Sequence, residues 1–217
     1  MTIKTNLLGF LFLTITALGC QAQNKPIDFD YGHVENNKYV NSYFDFEITI
    51  PTDWSVQTKE QMDNLLKTGV ELVAGNDSKL KYIAKVSEIN LANLLAVYQY
   101  ERGFAVGYNP SLMLAADNLT KTPGIKTGSD YLFEARKLLE ISQFEYDYIE
   151  EEFTKEIING TEFYKMNTEV NYRGLNIKQI YYSTIVDIFS FNIVITFIND
   201  QQKLDLLKSI NSMKFGN

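Results

Sequence analysis

The chain holds 217 residues, 45% of them hydrophobic and 22% charged, the size and balance of one compact globular domain, which excludes a disordered polymer and a polytopic membrane protein. Its 20 Lys and Arg stand against 27 Asp and Glu, a formal charge of −7 with no local basic patch, and this excludes a nucleic-acid partner held through its phosphates. A single His and a single Cys exclude Cys/His zinc sites, internal disulfides and a nucleophilic triad that needs both Cys and a second base.

The first twenty residues read as an export signal. Lys4 supplies the positive start, residues 7–15 form an apolar run too short to span a bilayer as a helix, and Thr16-Ala17-Leu18-Gly19 leads into Cys20. The segment resembles bacterial lipoprotein signals, with Ala17 where the familiar form has Leu. The resemblance implies cleavage before Cys20, acylation of its thiol and amine, and a stable lipid anchor. Cleavage after Ala22 is the alternative, and it would release a soluble periplasmic or secreted chain. Gln21 after the cysteine is not the Asp that marks inner-membrane retention in proteobacterial lipoproteins, which favours the outer membrane. The domain plan is therefore a signal peptide over 1–19, a lipidated flexible tether over 20–38, polar and aperiodic, and one globular domain over 39–217.

Within that domain, Phe44, Phe46, Ile48 and Ile50 alternate with polar residues, the period of a strand with one face on a core. The strand stops at Pro51, and the turn Pro51-Thr52-Asp53-Trp54 delivers the only Trp, expected to be substantially buried as a core plug. Met62, Leu65, Leu66 and Val73 recur at helical spacing over Lys59–Ala74, with Thr58 as cap. Strands are predicted over 94–100 and 111–116, and a helix over 129–142 capped by Ser129, with Leu132, Ala135, Leu138, Leu139 and Ile141 facing inward. Four strands then follow as a meander over 146–157, 163–172, 177–184 and 188–198, turning at Asn159-Gly160, Arg173-Gly174 and Val186-Asp187. The last of them is apolar on both faces and is predicted to be central. A helix over 201–213, capped by Asp200, closes the domain.

The opening Tyr39-Val-Asn-Ser-Tyr43-Phe-Asp-Phe-Glu-Ile-Thr-Ile-Pro51-Thr-Asp-Trp54 and the ending Ser209-Ile-Asn-Ser-Met-Lys-Phe215 resemble the strand, P-x-x-W turn and C-terminal helix of PsbP-like domains. The likeness covers residues 39–215 and implies an α+β fold: an α/β/α sandwich with a mainly antiparallel central sheet of six or more strands and helices on both faces. Members of that superfamily bind other macromolecules without chemistry, so the resemblance also implies a non-catalytic accessory domain with an envelope protein as partner. It carries over no functional residue, since the motif residues are structural.

The residues themselves point the same way. His33 lies in the expected tether, where a solvated imidazole is expected. Cys20 is committed to lipid, and the serines show neither a G-x-S-x-G elbow nor an S-x-x-K pair, so no catalytic residue, metal site or cofactor is assigned. Glu145, Asp147, Glu150, Glu151 and Glu152 form the densest carboxylate cluster. Such oxygens suit Ca²⁺ or a carboxylate-dependent hydrolase, but on a strand Glu150 and Glu152 oppose Glu151, and a solvated acidic edge is the expected role. A second reading places Tyr98, Tyr100, Tyr108, Tyr146, Tyr148, Tyr181 and Tyr182 in an aromatic cleft for a small ligand or carbohydrate.

Overall fold

The computed structural model describes residues 29–78, 81–82, 90–104 and 107–216. Twelve strands are described: β1 (His33–Glu35), β2 (Lys38–Asn41), β3 (Phe46–Thr49), β4 (Ser55–Val56), β5 (Leu91–Tyr98), β6 (Ser111–Asn118), β7 (Tyr146–Ile149), β8 (Thr154–Ile158), β9 (Thr161–Tyr172), β10 (Leu175–Val186), β11 (Phe189–Phe197) and β12 (Lys214–Phe215). Three helices accompany them, α1 (Lys59–Ala74), α2 (Gly128–Glu140) and α3 (Asp200–Ile210). Every ladder is antiparallel.

The strands form two sheets. One has eight strands in the order β4-β5-β6-β11-β10-β9-β7, with β8 also paired to β9, and the other has four in the order β1-β2-β3-β12. Strand β11 lies in the middle of the larger sheet and is buried along its whole length, as its two-sided apolar sequence requires. The meander turns where the residues allow it: Asn159-Gly160 and Arg173-Gly174 both take positive φ, the backbone of tight hairpins whose twist matches the strands they join. The predicted strand over 146–157 is two strands, because residues 150–153 leave the ladder between β7 and β8.

The eight-stranded sheet is covered on both sides. On one face Met62, Leu65 and Leu66 of α1 and Leu132 and Leu139 of α2 pack onto Met113, Tyr181 and Val194. On the other, Leu206 and Ile210 of α3 share a core with Phe46 and Ile48 of the small sheet and with Phe189, Phe191 and Ile193 of β11. Helices do stand on both faces of a mainly antiparallel sheet, but the expected single sheet is corrected. The second outer layer is largely β-structure, because β1, β2, β3 and β12 pair with one another and lay Tyr39, Phe46 and Ile48 on the core they share with β11.

Helix α1 begins as predicted, with Thr58 and Gln61 forming a reciprocal capping box; the side chain of Val73 lies outside the described part. Two other caps are corrected. Thr127 rather than Ser129 caps α2, since its hydroxyl accepts from Asp130 N–H while the Asp130 side chain accepts from Thr127 N–H. Asn199 rather than Asp200 caps α3 by the same backbone rule. Ile141 falls past the end of α2 and is 58% exposed, not inward as expected. Trp54 packs against the core while remaining only half-buried, less than the plug expected of it.

The expected tether is also corrected. Phe29 sits against Tyr31, Tyr43, Phe44 and Phe189, at ring separations of 4.8–5.9 Å. Asp30 accepts from Ser42 N–H and Oγ and from Gly32 N–H, each at 2.8 Å. The fully buried Asn41 donates to the Asp30 carbonyl and to Tyr39 Oη. Residues 29–38 thus belong to the domain. The reason is the aromatic and carboxylate chemistry of Phe29-Asp30-Tyr31, which periodicity does not register. The signal peptide, Cys20 and residues 21–28 lie outside the described residues.

Candidate functional site

A cleft of 330 Å³ opens where the first strand of the small sheet faces the start of α1 and the edge of the large sheet. Tyr31, His33 and Val34 form one wall and Val56, Gln57 and Lys59 the other, with Tyr39 and Leu94 beneath. An adjoining recess of 220 Å³ runs along α1 towards Lys67 and shares Tyr31, Lys59 and Asn93 with the first. The walls are tied to the fold by hydrogen bonds. Asp30 and Asn41 fix the 29–31 segment, Tyr39 Oη donates to the Tyr31 carbonyl at 2.8 Å, and Gln57 N–H donates to the Ala96 carbonyl at 2.9 Å, joining the helix start to β5.

Gln57 is the unusual member. Its side chain is 5% exposed; the amide Nε2 makes only long contacts to the Ser55 carbonyl and hydroxyl, at 3.4 and 3.3 Å. The amide oxygen Oε1 is buried without a hydrogen-bond partner, a state that costs free energy comparable to a lost hydrogen bond. Lys59 reaches Asp63 at 2.9 Å and lies 5.7 Å from the Tyr31 ring centroid; the hydrogen bond to Asp63 raises its pKa. Asp30, behind the wall, is held below the ordinary carboxylate range by the bonds it accepts from Ser42 and Gly32.

Of the residues weighed from sequence as candidate functional groups, His33 alone belongs to this cleft. It stands exposed on β1 at the mouth, in the domain and not in a tether. Of the carboxylate cluster, Asp147, Glu150, Glu151 and Glu152 line one open recess; there the Glu150 carboxylate accepts from Asn167 N–H and Nδ2 at 2.7 and 2.8 Å, and the Glu151 backbone carbonyl accepts from Arg136 at 2.7 Å. Glu145, Asp147 and Glu152 face solvent. Among the described residues no group of three or more His, Cys, Asp or Glu is placed to hold a metal ion.

The tyrosine cleft is corrected. Tyr98, Tyr108, Tyr181 and Tyr182 are buried inside the fold, where loss of hydration pushes all four phenols up. Tyr146 and Tyr181 both donate to Gln179 Oε1. Tyr100 and Tyr148 reach solvent at separate places, so these rings line no common groove. The cleft residues Tyr31, Gln57, Lys59 and Asn93 carry no sequence signal beyond the position of Gln57 directly before a helix cap.

No protein-family model matches the chain, and no curated protein matches it in sequence. Among solved structures it is similar to a Bacteroides thetaiotaomicron protein, with 10% identity and a TM-score of 0.46 over 85% of this chain and 50% of that one. It is also similar to LpqN, a Mycobacterium tuberculosis protein involved in cell envelope biogenesis, with 10% identity and a TM-score of 0.42 over 77% of this chain and 78% of that one. The chain spans half the length of the Bacteroides protein. No functional residue passes from either to this chain. No helix of the described residues is long and apolar enough to cross a membrane.

Proposed function

We propose that this chain is a bacterial envelope lipoprotein, acylated at Cys20, whose domain binds a partner and does not catalyse a reaction. The observation that carries the reading is the lipoprotein-type signal ending at Cys20; Phe29, seated among four aromatic rings, follows it with eight residues between them in sequence. Eight residues extend to at most about 29 Å. The cleft wall begins two residues beyond Phe29, at Tyr31, so the anchor and the cleft travel together close to the membrane surface.

The net negative charge of the chain opposes adsorption to anionic lipid, so the acyl chains supply the membrane affinity. The domain is of PsbP-like type in this reading. Support comes from the P-x-x-W turn leading out of β3, which brings Trp54 onto the core, and from the C-terminal helix docked on the sheet. The partner is an envelope protein or one of its attached groups, and Gln21 after the lipidated cysteine favours the outer membrane.

Replacing Cys20 with Ser tests the anchor. The wild-type chain is expected in the membrane fraction with a mature N-terminus whose mass carries acyl chains, and Cys20→Ser in the soluble fraction. A variant that stays membrane-bound, or a wild-type chain that begins unacylated at Gln23, would overturn the reading.

A further inference from the structure

We infer that Asn159 is a site of spontaneous deamidation, held in check while its amide fastens the C-terminal segment to the β8–β9 hairpin, and that the reaction unfastens that segment. This modification concerns the lifetime of the folded domain and stands independently of the lipid anchor. It begins in the sequence, where Asn159-Gly160 is the only Asn-Gly pair. Such a pair sets an electrophile and a nucleophile in adjacent residues. The backbone nitrogen of the glycine attacks the side-chain carbonyl carbon of the asparagine, and the bond from that carbon to Nδ2 breaks. Ammonia leaves, carrying the proton that the attacking nitrogen gives up, and a five-membered succinimide remains. Water opens the ring at either carbonyl, to Asp or to its β-linked isomer, so one water is taken up for each ammonia released. Glycine permits the attack because it has no side chain to screen its nitrogen. At Gly160 nothing lies within 4 Å of the place a Cβ would occupy, and both turn residues are exposed.

The fold ties the electrophile down. Asn159 Nδ2 donates to the Asn211 carbonyl at 2.9 Å and to the Met213 carbonyl at 2.7 Å, which engages both of its hydrogens. The segment so held closes the core. Met213 is 1% exposed, and Phe215 meets Phe46, Phe163 and Phe191 at ring separations of 4.8–6.2 Å. Nδ2 departs as ammonia only after giving up both bonds, so the reaction waits on local opening of residues 211–215. Its product cannot refasten them. A carboxylate at 159 is an acceptor only and turns its charge on two carbonyl oxygens. The β-linked isomer also lengthens by one backbone carbon the turn between the paired residues Ile158 and Thr161.

The test follows the full-length chain in detergent at mildly alkaline pH, native and unfolded in guanidinium chloride, with the peptide that holds Asn159 read by mass spectrometry. Conversion at Asn159 is expected in the unfolded chain and about tenfold more slowly in the native one, a factor of the size that breaking the two hydrogen bonds imposes. Phe215→Ala, which loosens the fastened segment, is expected to bring the native rate towards the unfolded one. Leu139→Ala, in the core beneath α2 on the opposite face of the sheet, is expected to leave it near the wild-type value. Asn159→Asp, which imitates the product, is expected to lower the melting temperature and to speed hydrogen exchange at 211–215 more than elsewhere.

Absence of conversion in the unfolded chain overturns the inference, as do equal rates in the native and unfolded chains. Equal acceleration by Phe215→Ala and Leu139→Ala overturns it too, because global unfolding would then be the gate. An Asn159→Asp chain that melts and exchanges like the wild type overturns the unfastening. The comparison of native with unfolded wild type decides the matter even if a variant fails to fold.

Discussion

The two faces of the eight-stranded sheet are built on opposite plans. The face towards the small sheet is dry and aromatic: Phe191 lies 5.3 Å from Phe44, 4.7 Å from Phe46 and 5.3 Å from Phe215 by ring centroid. The face towards α1 and α2 carries rows of buried polar side chains. Tyr98, Ser111, Thr196, Gln179 and Thr168 stand directly opposite one another across five strands, each at most 1% exposed. Ser111 and Thr196 share a hydrogen bond of 2.9 Å, and Thr168 Oγ1 donates to Gln179 Oε1 at 3.1 Å. An apolar row of Met113, Val194, Tyr181 and Met166 follows, and then Asn192 accepts from Ser183 and donates to Ser190 at 2.7 and 2.8 Å.

This difference teaches a division of labour. Apolar packing on the dry face supplies stability and tolerates sliding of one ring past another. Polar rows leave unpaired groups in a buried layer if a strand slips by two residues, so they select one register. The four-stranded sheet makes the dry face possible, because it covers aromatic residues that a single helix is too narrow to screen.

The largest expected effect lies on the dry face. Phe191→Ala should cost about 3–5 kcal/mol, read from denaturant midpoints, and a loss under about 1 kcal/mol would show that the rings collapse to fill the gap. On the other face Gly128→Ala should come next, at about 1–3 kcal/mol. A methyl group there would run into the Ser183 carbonyl oxygen, and that backbone belongs to a central ladder. Asn192→Ala should cost about 1–3 kcal/mol by leaving Ser183 and Ser190 without a common partner. If the polar rows select register, hydrogen exchange in β10 and β11 should accelerate in this variant beyond what its global stability explains.

Trp54→Ala should cost less, about 2 kcal/mol, below the range for a fully buried ring, because Trp54 is half-exposed. The smallest effect is electrostatic, with one carboxylate on each side of the sheet. Asp30 is lowered chiefly by the bond from Ser42 N–H and Asp130 chiefly by that from Lys126 N–H. A carboxyl group with a depressed folded-state pKa adds stability above its unfolded value and loses it as pH falls through the folded one. Thermal stability should therefore fall on acidification below the ordinary carboxylate range. Asp30→Asn and Asp130→Asn should each show a shallower acid dependence than the wild type.

Much of this molecule is set by local patterns. The alternation in 44–50, the stripe of Met62, Leu65 and Leu66 behind the Thr58 cap, the Asn-Gly hairpin at 159–160 and the two-sided apolar run of β11 each commit a segment by the spacing of its own residues, and the structure has them all. The reading of the first twenty residues as an export signal ending at Cys20 likewise rests on the linear chain alone. Only tertiary structure decided the rest. Whether β2 and β3 join the main sheet or form a second one depends on which aromatic side chains meet across the core, and the order of 29–38 depends on bonds to Ser42 and Asn41 that lie outside any local window. The cleft was hidden for the same reason. Tyr31, Gln57 and Asn93 come from three separate segments that only folding brings together.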